Sequence, residues 1–329
     1  MRDYLRSDQY LHGEALKYLK QKRDGLGSRQ IEIPTLQDRV VQRSILQIVE
    51  PLLDPVFEEC SVGYRSGKSR FDALLQAESI LDDGFNFVLI ADIRDAFASV
   101  PQRRLINVVK KYLPETNLAR LIESTVLTTN GRGLRQGSPL SPLLLNLYLH
   151  HHLDRAWKRK RLPPFIRYAD DVAVFCSSYE KAASALASLC KLLKPAGFEI
   201  KGQGQIVDLS GQTAASWLGF NIVTFDRKIG SIEVCIGEPA FERLEQKLLE
   251  AIASPVRSSR VEQIVYGWIC QKGPALSWEN ERSVLERLQL IFESVRLPRA
   301  IRSSTLHSWW EHGRALWSEF WKSRMPSEF

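Results

Sequence analysis

No apolar run in this 329-residue chain approaches the roughly 20 residues needed to cross a bilayer. The opening MRDYLRSDQYLHGE also has none of the apolar core of a secretory signal. These absences lead us to expect a cytoplasmic protein with no membrane partner. Cysteine is scarce and odd in number: Cys60, Cys176, Cys190, Cys235 and Cys270 are scattered, with no CxxC pair, which argues against a disulfide framework or a zinc site. There is no internal repeat and no low-complexity tract. With 44% hydrophobic and 25% charged residues the balance is globular and excludes a disordered or collagen-like chain. The length suits one large domain or two to three smaller ones sharing a core.

Charge is unevenly spread. The net charge is +7 with a pI near 9.1, a surplus compatible with a polyanionic partner such as nucleic acid. Residues 236–329 hold 13 basic and 12 acidic residues, so +6 of the +7 lies in residues 1–235. The same C-terminal segment carries six of the eight tryptophans. This shift in composition marks a boundary near residue 236.

Patterning predicts a loosely helical first 20 residues, then two short extended runs around the Asp24-Gly25 turn in KRDGLGSRQIEIP (22–34). Val40, Ile45, Ile48 and Leu52 give helical spacing to 35–53. GYRSGKSR (63–70) reads as a loop before a helix to about Leu81, and FNFVLIADI (85–93) as a strand buried on both faces. Two helices fill 102–128. The turn NGRGLRQGS then leads into a long helix, with Ser138 as N-cap and Pro139 at its first position. Strands follow at 164–168 and 172–176, a helix at 179–194, and strands near 197–207, 215–223 and 231–236. The order suggests a split βαβ or ferredoxin-like sheet. Beyond 237 only helices are expected.

Acids stand in two places where an apolar core would not put them. Asp92 ends the run VLIADI, and Asp170-Asp171 lie between IRY and VAVF. A carboxylate at a buried strand end is expensive unless paired, hydrogen-bonded or bound to a metal. Asp170-Asp171 also suit an ordinary hairpin turn, but with Asp92 in the same sheet the three would offer the oxygen ligands that divalent cations prefer. Two such cations, roughly 3.5–4 Å apart, activate a hydroxyl and stabilise a leaving oxygen in phosphoryl transfer. In RQGSPLSPLLLNLYLHH, capping explains Ser138 and Pro139 but does not require Gln136, whose amide could lie along a substrate groove.

These pieces in this order resemble bacterial reverse transcriptases of the type encoded by group II introns. The matching stretches are KRDG through RQIEIPTLQDRVVQ (22–42), EPLLDPVFEECSVGYRSGKSRFDAL (50–74), ADIRDAF (91–97), RQGSPLSPLLLNLYL (135–149), YADD (168–171), LLKPAGFEI (192–200), WLGF (217–220) and IVYGW (264–268). The resemblance implies an α+β right-hand polymerase with α/β fingers over 1–85. A ferredoxin-like palm would span 86–236, with fingers helices interleaved at 102–128, and an all-helical thumb 237–329. It implies an RNA-directed DNA polymerase using two Mg²⁺ ions, with Mn²⁺ as a substitute, on an RNA template, a DNA or RNA primer and deoxynucleoside triphosphates. Asp92, Asp170 and Asp171 would be the catalytic metal ligands. Lys22 and Arg29 would hold the triphosphate, with Arg23 sharing Lys22's role because their separation is one residue longer than the usual pattern. Arg39 would lie near the templating base, Gln136 beside the nascent pair, and Phe97 against the sugar 2′ position. Tyr168 would support the primer end, and Trp217, Leu218, Gly219 and Phe220 would form the primer grip.

The chain departs from the family pattern in places. Ala98 stands where an Asp is frequent, and Asp95 reads as a solvated turn residue. Gln203-Gly204 replace a Lys-Thr pair linked to leaving-group protonation, leaving Lys201 as the nearby base. His150, His151 and His152 lack zinc-site spacing and read as an exposed helix segment. The short extension before the fingers and the end at the thumb suggest a compact stand-alone enzyme in a mobile-element, CRISPR-adjacent or anti-phage setting. Partners there would include a dedicated structured RNA or defence proteins, and genomic neighbours would discriminate these settings. Two other readings stay open: an RNA-binding maturase or scaffold with a polymerase fold, and untemplated or protein-primed synthesis. In the last segment, most of Trp268, Trp278, Trp309, Trp310, Trp317 and Trp321 are expected in a helical core, with one or two free to stack on template–primer. Arg257, Arg260, Arg299 and Arg302 are candidates for phosphate contacts.

Overall fold

The computed structural model describes residue 10 and residues 12–21, 28–127, 130–211, 213–224, 232–252, 257–277, 279–297 and 301–324. The chain divides into two compact units, Met1–Asp208 and Leu209–Phe329. No described helix is long and apolar enough to cross a membrane.

The first unit opens with a ribbon of β1 (Leu16–Gln21) and β2 (Ser28–Ile33), antiparallel with Leu16 opposite Ile33 and Gln21 opposite Ser28. The expected helical character of the first 20 residues therefore fails over 16–20. Leu16 and Leu19 are exposed, so β1 has no buried face to announce it, and pairing with β2 determines its conformation. Helix α1 (Leu36–Leu53) starts at Thr35, whose hydroxyl accepts from the Asp38 N–H. Its buried stripe is Val41, Ile45, Val49 and Leu53; of the residues that suggested the helix only Ile45 is buried, while Val40, Ile48 and Leu52 face solvent. Helix α2 (Arg70–Asp82) begins in a reciprocal capping box between Ser69 and Asp72.

The central sheet has the order β4-β5-β3-β6, antiparallel throughout: β3 (Phe87–Asp92), β4 (Phe165–Tyr168), β5 (Asp171–Cys176) and β6 (Gln205–Asp208). β5 and β6 flank β3 on its two edges, and Val88 and Leu89, on opposite faces of the strand, are both fully buried, which accounts for its continuous apolar sequence. A one-turn α3 (Ala96–Ser99), then α4 (Gln102–Tyr112) and α5 (Thr116–Val126), separate β3 from the long helix α6. Helix α7 (Tyr179–Ala196) packs on β3, β5 and β6. Leu143, Leu144, Leu147, Val172, Val174 and Leu189 belong to one shared core. Strand β6 starts later than predicted. Around 200 only Ile200 makes a bridge, to Ile93, and Gly202 and Gly204 both hold positive φ before the strand begins.

Helix α6 departs from expectation twice. It starts at Ser141-Pro142, one turn after Ser138 (Ser141–Leu149). The Ser138 hydroxyl accepts from the Leu140 N–H (3.3 Å) and donates to Gln42 Oε1 (2.8 Å), so it holds a turn ahead of the helix. The helix then widens into a π turn over His150–Asp154 before a last α turn, Arg155–Arg159. The three histidines are not an exposed segment: His150 is buried among Phe57 and Tyr112, and His151 and His152 are half-buried.

The second unit holds an antiparallel sheet β7-β8-β9 (Ala215–Trp217, Phe220–Thr224, Ile232–Ile236) and helices α8 (Glu238–Ile252), α9 (Arg257–Cys270), α10 (Glu281–Ser294) and α11 (Ser303–Arg324). Leu218 and Gly219 both carry positive φ in the two-residue β7–β8 turn, as a type I′ hairpin requires. Among the described tryptophans of the set expected in a helical core, only Trp310 is fully buried. Trp268, Trp309, Trp317 and Trp321 are half-buried, and Trp278 lies outside the described residues.

Candidate active site

Sheet register brings the acids together. In the β3–β5 ladder Asp92 stands directly opposite Asp171, and in the β4–β5 hairpin Asp171 pairs with Tyr168. Ala169-Asp170 are left as the two-residue turn, and the Ile93 N–H donates to the Asp170 carbonyl at 3.0 Å. The turn is a close fit. Ala169 is buried with φ +61°, at the position where such hairpins usually place glycine. Opposite it, Gly63 of the segment before α2 comes so close that a Cβ there would lie 2.3 Å from the Ala169 nitrogen.

The three carboxyls resist ionisation. Burial, then the charge of Asp170, pushes Asp92 up to about 6. Burial, then Asp170 and Asp92, pushes Asp171 up to about 7. Burial also raises Asp170. Arg29 opposes the rise at all three, and Lys201 does so at Asp92 and Asp171. The Lys201 N–H also donates to the Asp92 carbonyl (2.6 Å). Half-buried acids that repel one another are stabilised by a cation placed among them.

A cavity of about 840 Å³ opens in front of these acids. Arg29 of β2 and Lys201 line it, with Tyr64 and Phe97 forming a wall of two rings packed edge to face at 6.1 Å. On another side Gln136 accepts from the Glu32 N–H through its carbonyl (2.8 Å). Gly137 follows with φ +127°, and a Cβ there would lie 2.6 Å from the Glu32 carbonyl oxygen. Only glycine lets this loop lie against β2.

The cavity thus gathers Asp92, Asp170, Asp171, Arg29, Phe97, Gln136 and Tyr168 from the expected set. Arg39 does not line it and stands exposed in the first turn of α1. Lys22, with Arg23, lies outside the described residues. Trp217, Leu218, Gly219 and Phe220 belong to the second unit, where Trp217 and Phe220 are buried and Lys272 sits 5.0 Å from the Phe220 ring centroid. Sequence reasoning gave no role to Tyr64, or to Arg167, which precedes Tyr168 and is fully buried. The available signal for Arg167 was a cation inside the apolar strand FIRY.

The donor set fits hard divalent cations, being carboxylate oxygens alone. Among the described residues no three His, Cys, Asp or Glu side chains close into a ready-made cage. The acids thus stand at the end of a central strand of an antiparallel sheet and at the adjoining hairpin, facing a cleft with cations on its rim.

The family follows from comparison. Residues 20–222 match the model of the reverse transcriptase (RNA-dependent DNA polymerase) family, and the chain belongs to that family. It is 29% identical over 138 residues to the group II intron-encoded protein LtrA of Lactococcus lactis, covering 39% of this chain and 23% of that protein. It is 25% identical over 235 residues to the protein YkfC of Escherichia coli, covering 58% of this chain and 61% of that one. These matches thus span less than two thirds of either relative. In fold it is similar to the telomerase of Candida albicans solved with a fragment of telomeric RNA, with a TM-score of 0.51 at 12% identity over 98% of this chain and 68% of that one.

Proposed function

We propose that this chain extends a primer 3′ end with deoxynucleotides on an RNA template by two-metal-ion phosphoryl transfer. The observation that carries this reading is the Asp92–Asp171 cross-strand pair beside Asp170, facing a cleft with Arg29 on its rim. Asp92, Asp170 and Asp171 would hold two Mg²⁺, or Mn²⁺ in substitution, which supply activation of the primer hydroxyl and charge stabilisation at the leaving oxygen. Arg29, with Lys22 or Arg23, draws the triphosphate towards the acids. Phe97, backed by Tyr64, fills the space a ribose 2′-hydroxyl would need. Gln136 lies along the nascent pair, Arg39 guides the template, Tyr168 supports the primer end, and the Trp217–Phe220 turn grips the primer. Lys201, at the cleft wall, is the available proton donor for the pyrophosphate leaving group in place of the absent Lys-Thr pair. In this reading residues 1–85 act as fingers with 102–128, the rest of 86–236 as palm, and 237–329 as thumb. LtrA is described as intron-encoded, which favours a mobile-element setting.

The test is primer extension on an RNA template with purified protein. Asp92→Asn and Asp170→Asn should each lower the rate by at least about 1000-fold, the scale expected when a key electrostatic group is lost. Circular dichroism should be unchanged, since neither substitution alters core volume. Near wild-type extension by either variant would overturn the two-metal assignment.

A further inference from the structure

Arg167 is completely buried, one residue before the turn that carries Asp170. All five of its N–H donors are used. Nε and Nη2 donate to the two carboxylate oxygens of Asp154, at 2.9 and 2.6 Å. Nη2 also donates to Ser61 Oγ (2.7 Å), and Nη1 donates to Asn146 Oδ1 (2.9 Å) and to the Ala169 carbonyl (2.9 Å). Asn146 in turn donates to the Gly63 carbonyl at 2.6 Å. The Arg167 backbone continues the pattern, donating to the Cys60 carbonyl and accepting from the Val62 N–H. One guanidinium therefore ties together the segment leading to Tyr64, the helix α6 and the Ala169-Asp170 turn. The π turn ends at Asp154, the carboxylate of this network.

A buried ion pair is weak support for stability, because well-packed apolar residues often serve as well. What apolar residues cannot supply is direction. The five donors are aimed at three chain segments, each of which contributes residues to the wall of the cleft. Ala169, held at positive φ, is among the acceptors.

We propose that Arg167, with Asp154 and Asn146, is a positioning residue that fixes Asp170 and Tyr64 against the cleft. It touches neither substrate nor metal and acts through the Ala169 and Gly63 carbonyls. The proposal rests on the polymerase reading of the cleft, and its test separates the two.

Arg167→Lys keeps the charge but offers three donors in place of five. Misplacing reacting groups by about 1 Å costs on the order of 100-fold in rate, and losing a residue that orients ligands weakens metal affinity about 10- to 100-fold. Arg167→Lys should lower kcat about 100-fold, leave KM for deoxynucleotides within about threefold, and raise the half-saturating Mn²⁺ concentration about 10-fold. The Arg167→Met/Asp154→Leu double variant separates positioning from stability. It leaves no unpaired buried charge and should stay folded, though less stable than wild type because the Asn146, Ser61 and Ala169 acceptors lose their donor, and be as slow as Arg167→Lys. A double variant whose folded fraction has kcat within threefold of wild type overturns the proposal, as does an Arg167→Lys protein whose folded fraction is fully active. Should both variants fail to fold, Ser61→Ala removes one acceptor from a small side chain and should raise half-saturating Mn²⁺ about threefold; no change would overturn the proposal. Direct Mn²⁺ binding, followed by electron paramagnetic resonance without nucleotide, distinguishes the two failures. A wild-type protein that binds Mn²⁺ through Asp170 yet makes no product refutes the polymerase reading, and Arg167 is then judged on Mn²⁺ affinity alone.

Discussion

Ala169 holds φ at +61°, a conformation that costs an L-residue about 1–2 kcal/mol, and the missing Cβ of Gly63 lets the neighbouring segment close over it. Gly63→Ala should therefore act on the turn directly, because its Cβ would meet backbone atoms at 2.3 and 2.8 Å. The expected outcome is destabilisation of about 1–3 kcal/mol with loss of nucleotide addition, read by thermal melting and primer extension. Phe97→Val should open the sugar pocket, raising ribonucleotide incorporation relative to deoxyribonucleotide by about 10-fold or more in a competition assay, with a smaller loss in overall rate. Unchanged discrimination would leave Phe97 as packing for Tyr64. At this scale the sequence was most legible where residue type clashed with surroundings. Asp92 and Asp170-Asp171 interrupt apolar strands, so their chemistry could be read directly. Arg167 also interrupts an apolar strand, but its meaning lies in partners as distant as Ser61, which no local pattern announces. Tyr64 lay inside a recognised stretch, yet its contact with Phe97 exists only after folding.

Among the elements, strands and helices with a buried stripe could be read in advance, and those whose conformation depends on a partner could not. FVLIAD needed no partner to be recognised, because its apolar run was long enough to require burial. β1 is exposed and takes its form from pairing with β2; the start of α6 depends on Ser138 bonding to Gln42 on α1. Helix α2 carries a testable charge. Glu78 is half-buried one turn before Asp82, and burial, then the like charge of Asp82, raises its carboxyl from 4.5 to about 7. The folded state therefore favours the protonated form. Glu78 imposes no penalty below about pH 4.5, a growing one as pH rises towards 7, and the full penalty above that. Glu78→Gln should accordingly leave the melting temperature unchanged near pH 4 and raise it by about 2–4 °C at pH 8. That corresponds to about 1 kcal/mol once solvent screening at a half-exposed site is allowed for. A variant no more stable than wild type at pH 8 would show that Glu78 finds a compensating partner.

For the whole molecule, charge and topology make separate demands. Residues 1–235 carry +6 of the +7, so most of the salt dependence of template–primer binding should reside there. Arg302, exposed just before α11, and Arg299, outside the described residues, test what the second unit adds. Replacing both by Ala should flatten the log–log salt slope by up to about 1.5–2, with the single-turnover rate at saturating duplex preserved. An unchanged slope and affinity would assign that segment to another partner or to folding. The sheet order has a further consequence for how the protein is made. Strand β3 emerges from the ribosome early, but both neighbours that cover its edges, β5 and β6, lie beyond residue 170. Throughout synthesis of the intervening helices FVLIAD is an apolar strand with two open edges, the arrangement most prone to pairing with another chain. Yield in a cell should thus depend on holdase chaperones during that interval more than on the stability of the finished enzyme.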